Sequence, residues 1–197
     1  DLKWAKHTDK ITSEINYAMS VLRRLKEHVC NKELRTIADG LVLSKIRYCL
    51  PVFAAESIRL RETDPQSTLL LRIQRAQNEM LRIVTGRRRR DHERISDMLE
   101  TTGFMSVNQM TAYTYLMELW KARCFDVPIL CDLLERRRND ERTLRSDTAG
   151  AASTVGRDVM AINAEKLWNM STNKFRSTNL LTVAKSEAKK LAKSLPM

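Results

Sequence analysis

Residues 69–90 constrain the fold of this chain more than any other stretch, because they combine a helical pattern with an abrupt stop. Apolar residues recur there at spacings that place one seam along a helix: Leu69, Ile73, Ala76, Met80 and Ile83. Gly86 is expected to end this helix, since a left-handed cap favours a residue without a Cβ. The stretch therefore predicts a helix that packs by its seam and stops at Gly86.

The polar residues of the same stretch concentrate positive charge. Three arginines lie off the seam, among Gln74, Gln77 and Asn78, and four more follow Gly86: Arg72, Arg75, Arg82, Arg87, Arg88, Arg89 and Arg90. Guanidinium groups suit phosphate oxygens, so a packed helix presenting them predicts a contact with a phosphate backbone. The predicted nucleic-acid-binding set is completed, near the polar side of the first helix, by Arg23, Arg24 and Lys26. The alternative is a solvated basic turn that keeps the protein soluble.

The overall charge agrees with a polyanionic partner. Lys and Arg together number 35 against 24 Asp and Glu, giving a net charge of +11, and arginines outnumber lysines 22 to 13. This balance indicates nucleic acid first and an anionic membrane surface second, but the basic faces are interrupted by acids, which disfavours a lipid-binding helix. No apolar run is long enough to span a membrane, and we expect no signal peptide. We expect no membrane partner and no small-molecule substrate.

The cysteines and histidines predict no metal site. Cys30, Cys49, Cys124 and Cys131 fall at apolar positions of helical patterns, without a Cys-x-x-Cys pair and without histidines at zinc spacing. We therefore expect buried structural thiols, no cofactor, and a reducing compartment, meaning cytosol or nucleus. Because the chain opens on an aspartate and runs almost at once into a helix, we expect it to be a piece of a longer protein.

Helical periodicity elsewhere predicts an all-α fold, an irregular bundle of about seven to eight helices. The expected starts are Thr8 or Asp9, Asn31, Asp91 and Ser106, and Gly103 is a further stop. Helices are also expected over 158–169 and 179–194, the latter with Leu181 inward and its lysines outward. The polar stretch 136–157 is interpreted as a loop or linker, and a short hairpin within 144–157 is compatible with its sequence.

The same patterns predict the core. The positions expected to be buried are Ile15, Leu22, Leu41, Ile73, Met80, Met117 and Trp120. The three tryptophans, Trp4, Trp120 and Trp168, are interpreted as core anchors rather than base-stacking platforms, since they fall on apolar stripes. Tyr48 could touch a sugar edge, but burial is the favoured interpretation. The basic run 136–138 precedes two acids and is interpreted as solvated.

No catalytic motif is present in the sequence. It has no Gly-rich phosphate loop, no His-Glu-x-x-His, no serine in a tight Gly-flanked turn, and no aspartate pair of the kind that holds Mg²⁺ in a polymerase. The carboxylates fall mostly in capping or salt-bridging contexts, as at Asp9, Asp91 and Glu93. We therefore predict that the chain is not an enzyme on its own.

An ordered set of short motifs resembles one family. Leu-Lys-Trp-Ala-Lys-His (2–7), Leu-Arg-Arg-Leu (22–25) and Ile-Arg-Tyr-Cys-Leu-Pro-Val-Phe (46–53) resemble the segment after the polymerase palm of non-LTR retrotransposon reverse transcriptases. The resemblance continues through the segments 71–75, 81–86, 103–107, 166–169 and 195–197. It departs at Phe53, where the family usually has tryptophan, and in lacking the cysteine-rich knuckle and endonuclease of some relatives.

The resemblance implies the helical thumb and C-terminal region of such an enzyme. In the family this region grips the template–primer duplex, while the palm, upstream, does the chemistry. The implied segments are a thumb-like bundle (1–86), a basic turn with continuing bundle (87–135), the polar loop (136–157) and a C-terminal helical extension (158–197). The implied partners are the backbone of a duplex or RNA–DNA hybrid and the upstream palm. The alternative function is a helical protein-interaction scaffold derived from a degenerate or repurposed retroelement fragment.

Overall fold

A computed structural model of the protein describes residues 4–48, 50–54, 57–127 and 157–197. Within these ranges the chain forms eight helices and no strand, so the predicted all-α bundle is confirmed. The predicted loop 136–157 lies outside the described residues except for its last residue, and so do the basic run 136–138, Cys49 and Cys131. The division into four segments stays a prediction.

The first half of the chain contributes three helices. Helix α1 is Trp4–Leu25. Helix α2 runs without interruption through Asn31–Ala38, the wider π-helical turn Asp39–Leu43, and Ser44–Arg47. A single turn, Leu50–Phe53, follows it, with Pro51 in the first turn, where the missing amide proton leaves no hydrogen bond unmade. Helix α3 is Thr68–Thr85.

The second half contributes five helices. Helix α4 is Ile95–Thr102 and α5 is Val107–Cys124. After the undescribed stretch come α6 (Arg157–Met170), α7 (Asn173–Ser177) and α8 (Leu181–Ser194). Helices were thus correctly predicted over 158–169 and near 179–194, and α7 was missed because five residues carry too little periodicity to detect.

Two apolar clusters form the core. The first joins α1, α2, α3, α4 and the start of α5, and it includes Ile15, Leu22, Ile73 and Met80. The second joins the rest of α5 to α6, α7 and α8, and it includes Met117 and Trp120. These six residues are buried as predicted, and Trp4 and Trp168 pack partly buried against the two clusters. Helix α5 is buried on most of its circumference because it contributes to both clusters.

One predicted core residue is wrong. Leu41 is 37% exposed, whereas its neighbours Val42 and Leu43 are buried. The cause is the π-helical turn Asp39–Leu43, because an i→i+5 turn holds one residue more than an α-turn and rotates the apolar stripe. Leu181 is likewise exposed, because α8 begins only at that residue and packs through Ala184 and Ala188. The α8 lysines point outward as predicted.

Several helices begin at residues other than the predicted ones. The chain is already helical at Trp4, because that ring packs on Phe53, and Thr8 is buried inside α1 with its hydroxyl donating to the Trp4 carbonyl at 3.0 Å. Asn31 is the first residue of α2, and the N-cap is Cys30, an exposed thiol rather than a buried one. Cys124 is only partly buried.

The region between α3 and α5 agrees with most of its predicted boundaries. Gly86 and Gly103 end α3 and α4 in left-handed conformations, with φ of 74° and 67°. The Ser106 hydroxyl caps α5 by accepting from the Gln109 amide at 3.2 Å. Asp91 does not cap α4, which begins four residues later; it closes a 3₁₀ turn by accepting from the Arg88 amide at 2.6 Å.

Candidate nucleic-acid interface

Eight of the ten predicted cations line one groove between α1 and α3. We call it the basic groove, and it consists of two adjoining cavities of about 560 and 200 Å³ that share Glu79, Arg82 and Arg89. Its cationic walls are Arg23, Lys26, Arg72, Arg75, Arg82, Arg87, Arg88 and Arg89. The other two predicted residues, Arg24 and Arg90, are exposed but line neither cavity.

Local sequence explains why these side chains converge. The apolar seams of α1 and α3 pack on each other within the first core cluster, so the positions flanking each seam border their junction. Gly86 then turns the chain sharply, which brings Arg89 back to the last turns of α3. Arg89 and Glu79, ten residues apart in sequence, are joined by two hydrogen bonds of 3.0 and 2.7 Å.

Glu79 organises the middle of the groove. Its Oε1 accepts from Arg82 Nη1 at 2.9 Å and from both Arg89 nitrogens, Nε and Nη2. One carboxylate oxygen therefore orients two guanidinium groups, each of which keeps further N–H donors for a ligand. Glu79 was not among the predicted site residues, although its i,i+3 spacing to Arg82 is typical of a helical ion pair.

Two further arginines of the groove are paired at its edges. Arg72 lies 2.6 Å from Asp9 Oδ1, and Arg87 Nε lies 2.7 Å from Glu93 Oε2. Asp9 and Glu93, which were expected in capping or salt-bridging contexts, thus form salt bridges. Both arginines stay about half exposed, so these pairs are weak in water and can exchange a carboxylate for a phosphate at small cost.

The remaining predicted cations have no carboxylate partner. Arg23, Lys26, Arg75 and Arg88 are exposed in the groove and form no ion pair with any described residue, and the same holds for Arg24 and Arg90 outside it. The Arg24 side chain donates to the Ser20 carbonyl on its own helix at 3.5 Å. The groove thus combines four oriented arginines with four cations that have no counterion among the described residues.

The amide side chains between the arginines are structural. Gln77 is buried and donates to the Met105 carbonyl at 2.7 Å, and the Gln74 Oε1 accepts from the Val107 amide at 2.8 Å. Both residues therefore attach α3 to the segment 105–107, where α5 begins. Asn78 does line the groove, with Thr12 and Asn16 of α1 opposite.

A separate cavity of about 640 Å³ lies beside the end of α2, lined in part by Trp4, His7 and Tyr48. Tyr48 is 66% exposed, so the favoured interpretation of burial was wrong; its ring lies 6.4 Å from that of His7 at the surface. On the cavity wall Lys45 donates to Glu14 at 2.8 Å, and this hydrogen bond lowers the pKa of Glu14.

The remaining observations bear on other classes of protein. Among the described residues, no three His, Cys, Asp or Glu side chains lie together where they could hold a metal ion. No helix in the described part of the chain is both long and apolar enough to cross a bilayer. The chain matches no protein-family model, no curated protein and no solved structure.

Proposed function

We propose that this chain is the sequence-independent nucleic-acid-binding segment of a retroelement reverse transcriptase, gripping the template–primer backbone beside a catalytic palm on the same parent chain. The observation that carries the proposal is the convergence of eight cations on one groove. We name a reverse transcriptase as the parent enzyme because the ordered motifs resemble its thumb region. We propose that the protein acts in the cytosol or the nucleus.

The composition of the groove supports backbone binding rather than base reading. Its charged walls are mainly guanidinium groups, whose planar donors match two phosphate oxygens at once. Phosphate contacts set position and carry no base information, which suits a polymerase that must accept any sequence. Glu79 and Glu93 hold three of the arginines in the absence of ligand, which lowers the conformational entropy lost on binding.

The proposal assigns no chemistry to the groove. The catalytic carboxylates would belong to the palm, and we expect the isolated chain to show no nucleotide incorporation with any template, primer or divalent ion. Incorporation that persists through repurification would contradict this part of the proposal.

The decisive experiment removes the unpaired cations and measures the salt dependence of duplex or hybrid binding. In the variant R23A/R75A/R88A no described carboxylate loses its partner, because none of the three forms an ion pair within the described ranges. The slope of log affinity against log salt changes by about 0.9 per phosphate contact on a B-form duplex, so we expect it to flatten by roughly two to three units. Affinity should stay insensitive to sequence in both proteins.

The matched control removes three exposed lysines that line neither cavity of the groove: Lys6, Lys185 and Lys193. The variant K6A/K185A/K193A loses the same charge, so it should show only the small change due to net charge. Circular dichroism should show both variants folded, since exposed charges contribute little to stability. Equal slopes in the two variants would favour the protein-interaction scaffold instead.

A further inference from the structure

A second basic cleft lies on another part of the surface, between α2, the loop after α4, and α8. It has a volume of about 410 Å³, and its cationic residues are Lys32, Arg35, Arg47 and Lys189. None of these belongs to the set predicted from the sequence. The cleft shares no lining residue with the basic groove, so it is a separate site.

Most of the charge in this cleft is uncompensated. Asp39 is the one acidic residue among those that line it, and its carboxylate is bound by Arg47. Lys32, Arg35 and Lys189 are exposed and form no ion pair with a described residue. Three cations, from two helices far apart in sequence, therefore face one concave space with no counterion in the part of the chain that the structure describes.

Arg35 is held in a defined position. Its guanidinium lies over the ring of Phe104, 5.3 Å from the centroid. A Cβ built on Gly103 would lie 3.0 Å from Arg35 Nη2, so the glycine lets the guanidinium approach the backbone closely at a residue whose φ of 67° also disfavours a side chain. The guanidinium held over this ring lines the cleft and supplies it with N–H donors.

The lining indicates which anion fits. The amide of Gly103 is already used, since it donates to the Glu100 carbonyl at 3.0 Å. The floor also includes the apolar side chains of Leu43, Met105 and Met110. Sites that bind a single strand typically combine separated cations with apolar or aromatic surfaces. The cations contact the phosphates, and the apolar or aromatic surfaces contact the bases.

We propose that this cleft binds a single-stranded stretch of nucleic acid, distinct from the duplex held in the basic groove. The source of the strand rests on the proposed function, because a template–primer has both a duplex and an unpaired template. Lys32, Arg35 and Lys189 would contact its phosphates, and the Arg35–Phe104 pair would support a base or sugar. The cleft thereby adds affinity only for substrates that carry an unpaired strand.

The experiment compares the full chain's affinity for a blunt duplex with its affinity for the same duplex carrying an oligo-dT tail of about ten nucleotides. For the unmodified chain we expect the tail to raise affinity by roughly tenfold near 0.1 M salt, from two or three phosphate contacts. The variant K32A/R35Q/K189A should lose this gain and bind the blunt duplex normally. R23A/R75A/R88A should bind both substrates more weakly but keep the ratio of the two affinities. K6A/K185A/K193A should also keep the ratio, with only the small change in each affinity that the lower net charge causes.

The outcomes separate the two proposals. A tail advantage that persists in K32A/R35Q/K189A overturns the cleft, whatever the groove variant does. Unchanged blunt-duplex binding in R23A/R75A/R88A contradicts the proposed function. In that case the proposal for the cleft is tested with oligo-dT alone. Changes in the nuclear magnetic resonance signals of the Gly103 amide and the Arg35 Nε–H on adding oligo-dT would support the proposal, and unchanged signals would overturn it. Inorganic phosphate at equal charge should not reproduce the perturbation; if it does, the cleft is a small-anion site and the proposal fails.

Discussion

At the scale of single residues, the candidate site depends on acids as much as on arginines. Glu79 Oε1 accepts from Arg82 and Arg89, and so holds two guanidinium groups in the basic groove. The same carboxylate repels a phosphate backbone, because it lies on the floor shared by both cavities. Glu79 therefore lowers the affinity of the groove for a phosphate backbone, while it fixes the positions of two guanidinium groups.

We expect Glu79→Gln to tighten duplex binding a few-fold at low salt. The amide oxygen still accepts a hydrogen bond, whereas the negative charge near the phosphates is gone, and a unit charge at several ångströms in water is worth roughly 0.5–1 kcal/mol. The gain should fade as salt is added, because screening weakens exposed charges. Binding titrations at two ionic strengths measure both effects.

Glu118→Gln is the matched control for this prediction. Glu118 also pairs with a residue three positions on, Lys121 at 2.7 Å, but it lines neither the groove nor the second cleft. Its variant should bind like the unmodified chain. Weaker binding by Glu79→Gln alone would mean that orientation of Arg82 and Arg89 outweighs repulsion.

At the scale of elements, α3 was the best-predicted part of the molecule. Four of its five predicted seam residues, Ile73, Ala76, Met80 and Ile83, are buried, whereas Leu69 in the first turn is half-buried. Its arginines lie outside the core, and Gly86 ends it in a left-handed conformation. Periodicity predicts these features because the pitch of a helix decides which residues share a face. It does not predict the π-helical turn in α2, where the wider turn moved Leu41 outward.

The end of α3 provides a stability test with an internal control. Gly86→Ala should cost about 1–2 kcal/mol, because an L-residue is strained at this positive φ. A Cβ there would meet nothing closer than Lys26 Nζ at 3.7 Å, so the cost comes from the backbone alone. Thermal unfolding should show a midpoint lower by a few degrees, given about 2–4 °C per kcal/mol at this size.

Gly40→Ala should act in the opposite direction. Gly40 lies inside α2 without a positive φ, and a Cβ there meets nothing within 4 Å. Alanine should therefore stabilise the protein by about 0.5–1 kcal/mol through its better helix propensity. If both variants shifted the midpoint in the same direction, the assignment of the left-handed cap would be wrong.

At the scale of the whole molecule, a buried amide links distant parts of the chain. The Asn108 side chain accepts from the Arg59 amide at 2.8 Å and donates to the carbonyls of Arg59 and Pro196 at 2.9 and 2.8 Å. Gln109 adds bonds to the carbonyls of Lys193 and Leu195 at 3.3 and 3.1 Å. The start of α5 therefore fastens both the segment before α3 and the end of α8.

Asn108→Ala should destabilise the protein by about 2–4 kcal/mol, because three backbone groups lose their partner inside the structure. The midpoint of thermal unfolding should fall by roughly 5–10 °C. Asn16→Ala, at an exposed position of α1, should change it by less than about 2 °C. A small effect at Asn108 would indicate that the end of α8 detaches without cost.

The sequence by itself determined most of the helices, the stops at Gly86 and Gly103, the cap at Ser106, and the separation of arginines from the apolar seams, because each depends on neighbours within a few residues. Tertiary structure decided which faces meet. It brought Arg72 to Asp9, Arg89 to Glu79, and Lys32 with Arg35 to Lys189. Local periodicity states that a side chain faces outward but not what lies opposite, so the basic groove was predicted only as a set of cations and the second cleft not at all.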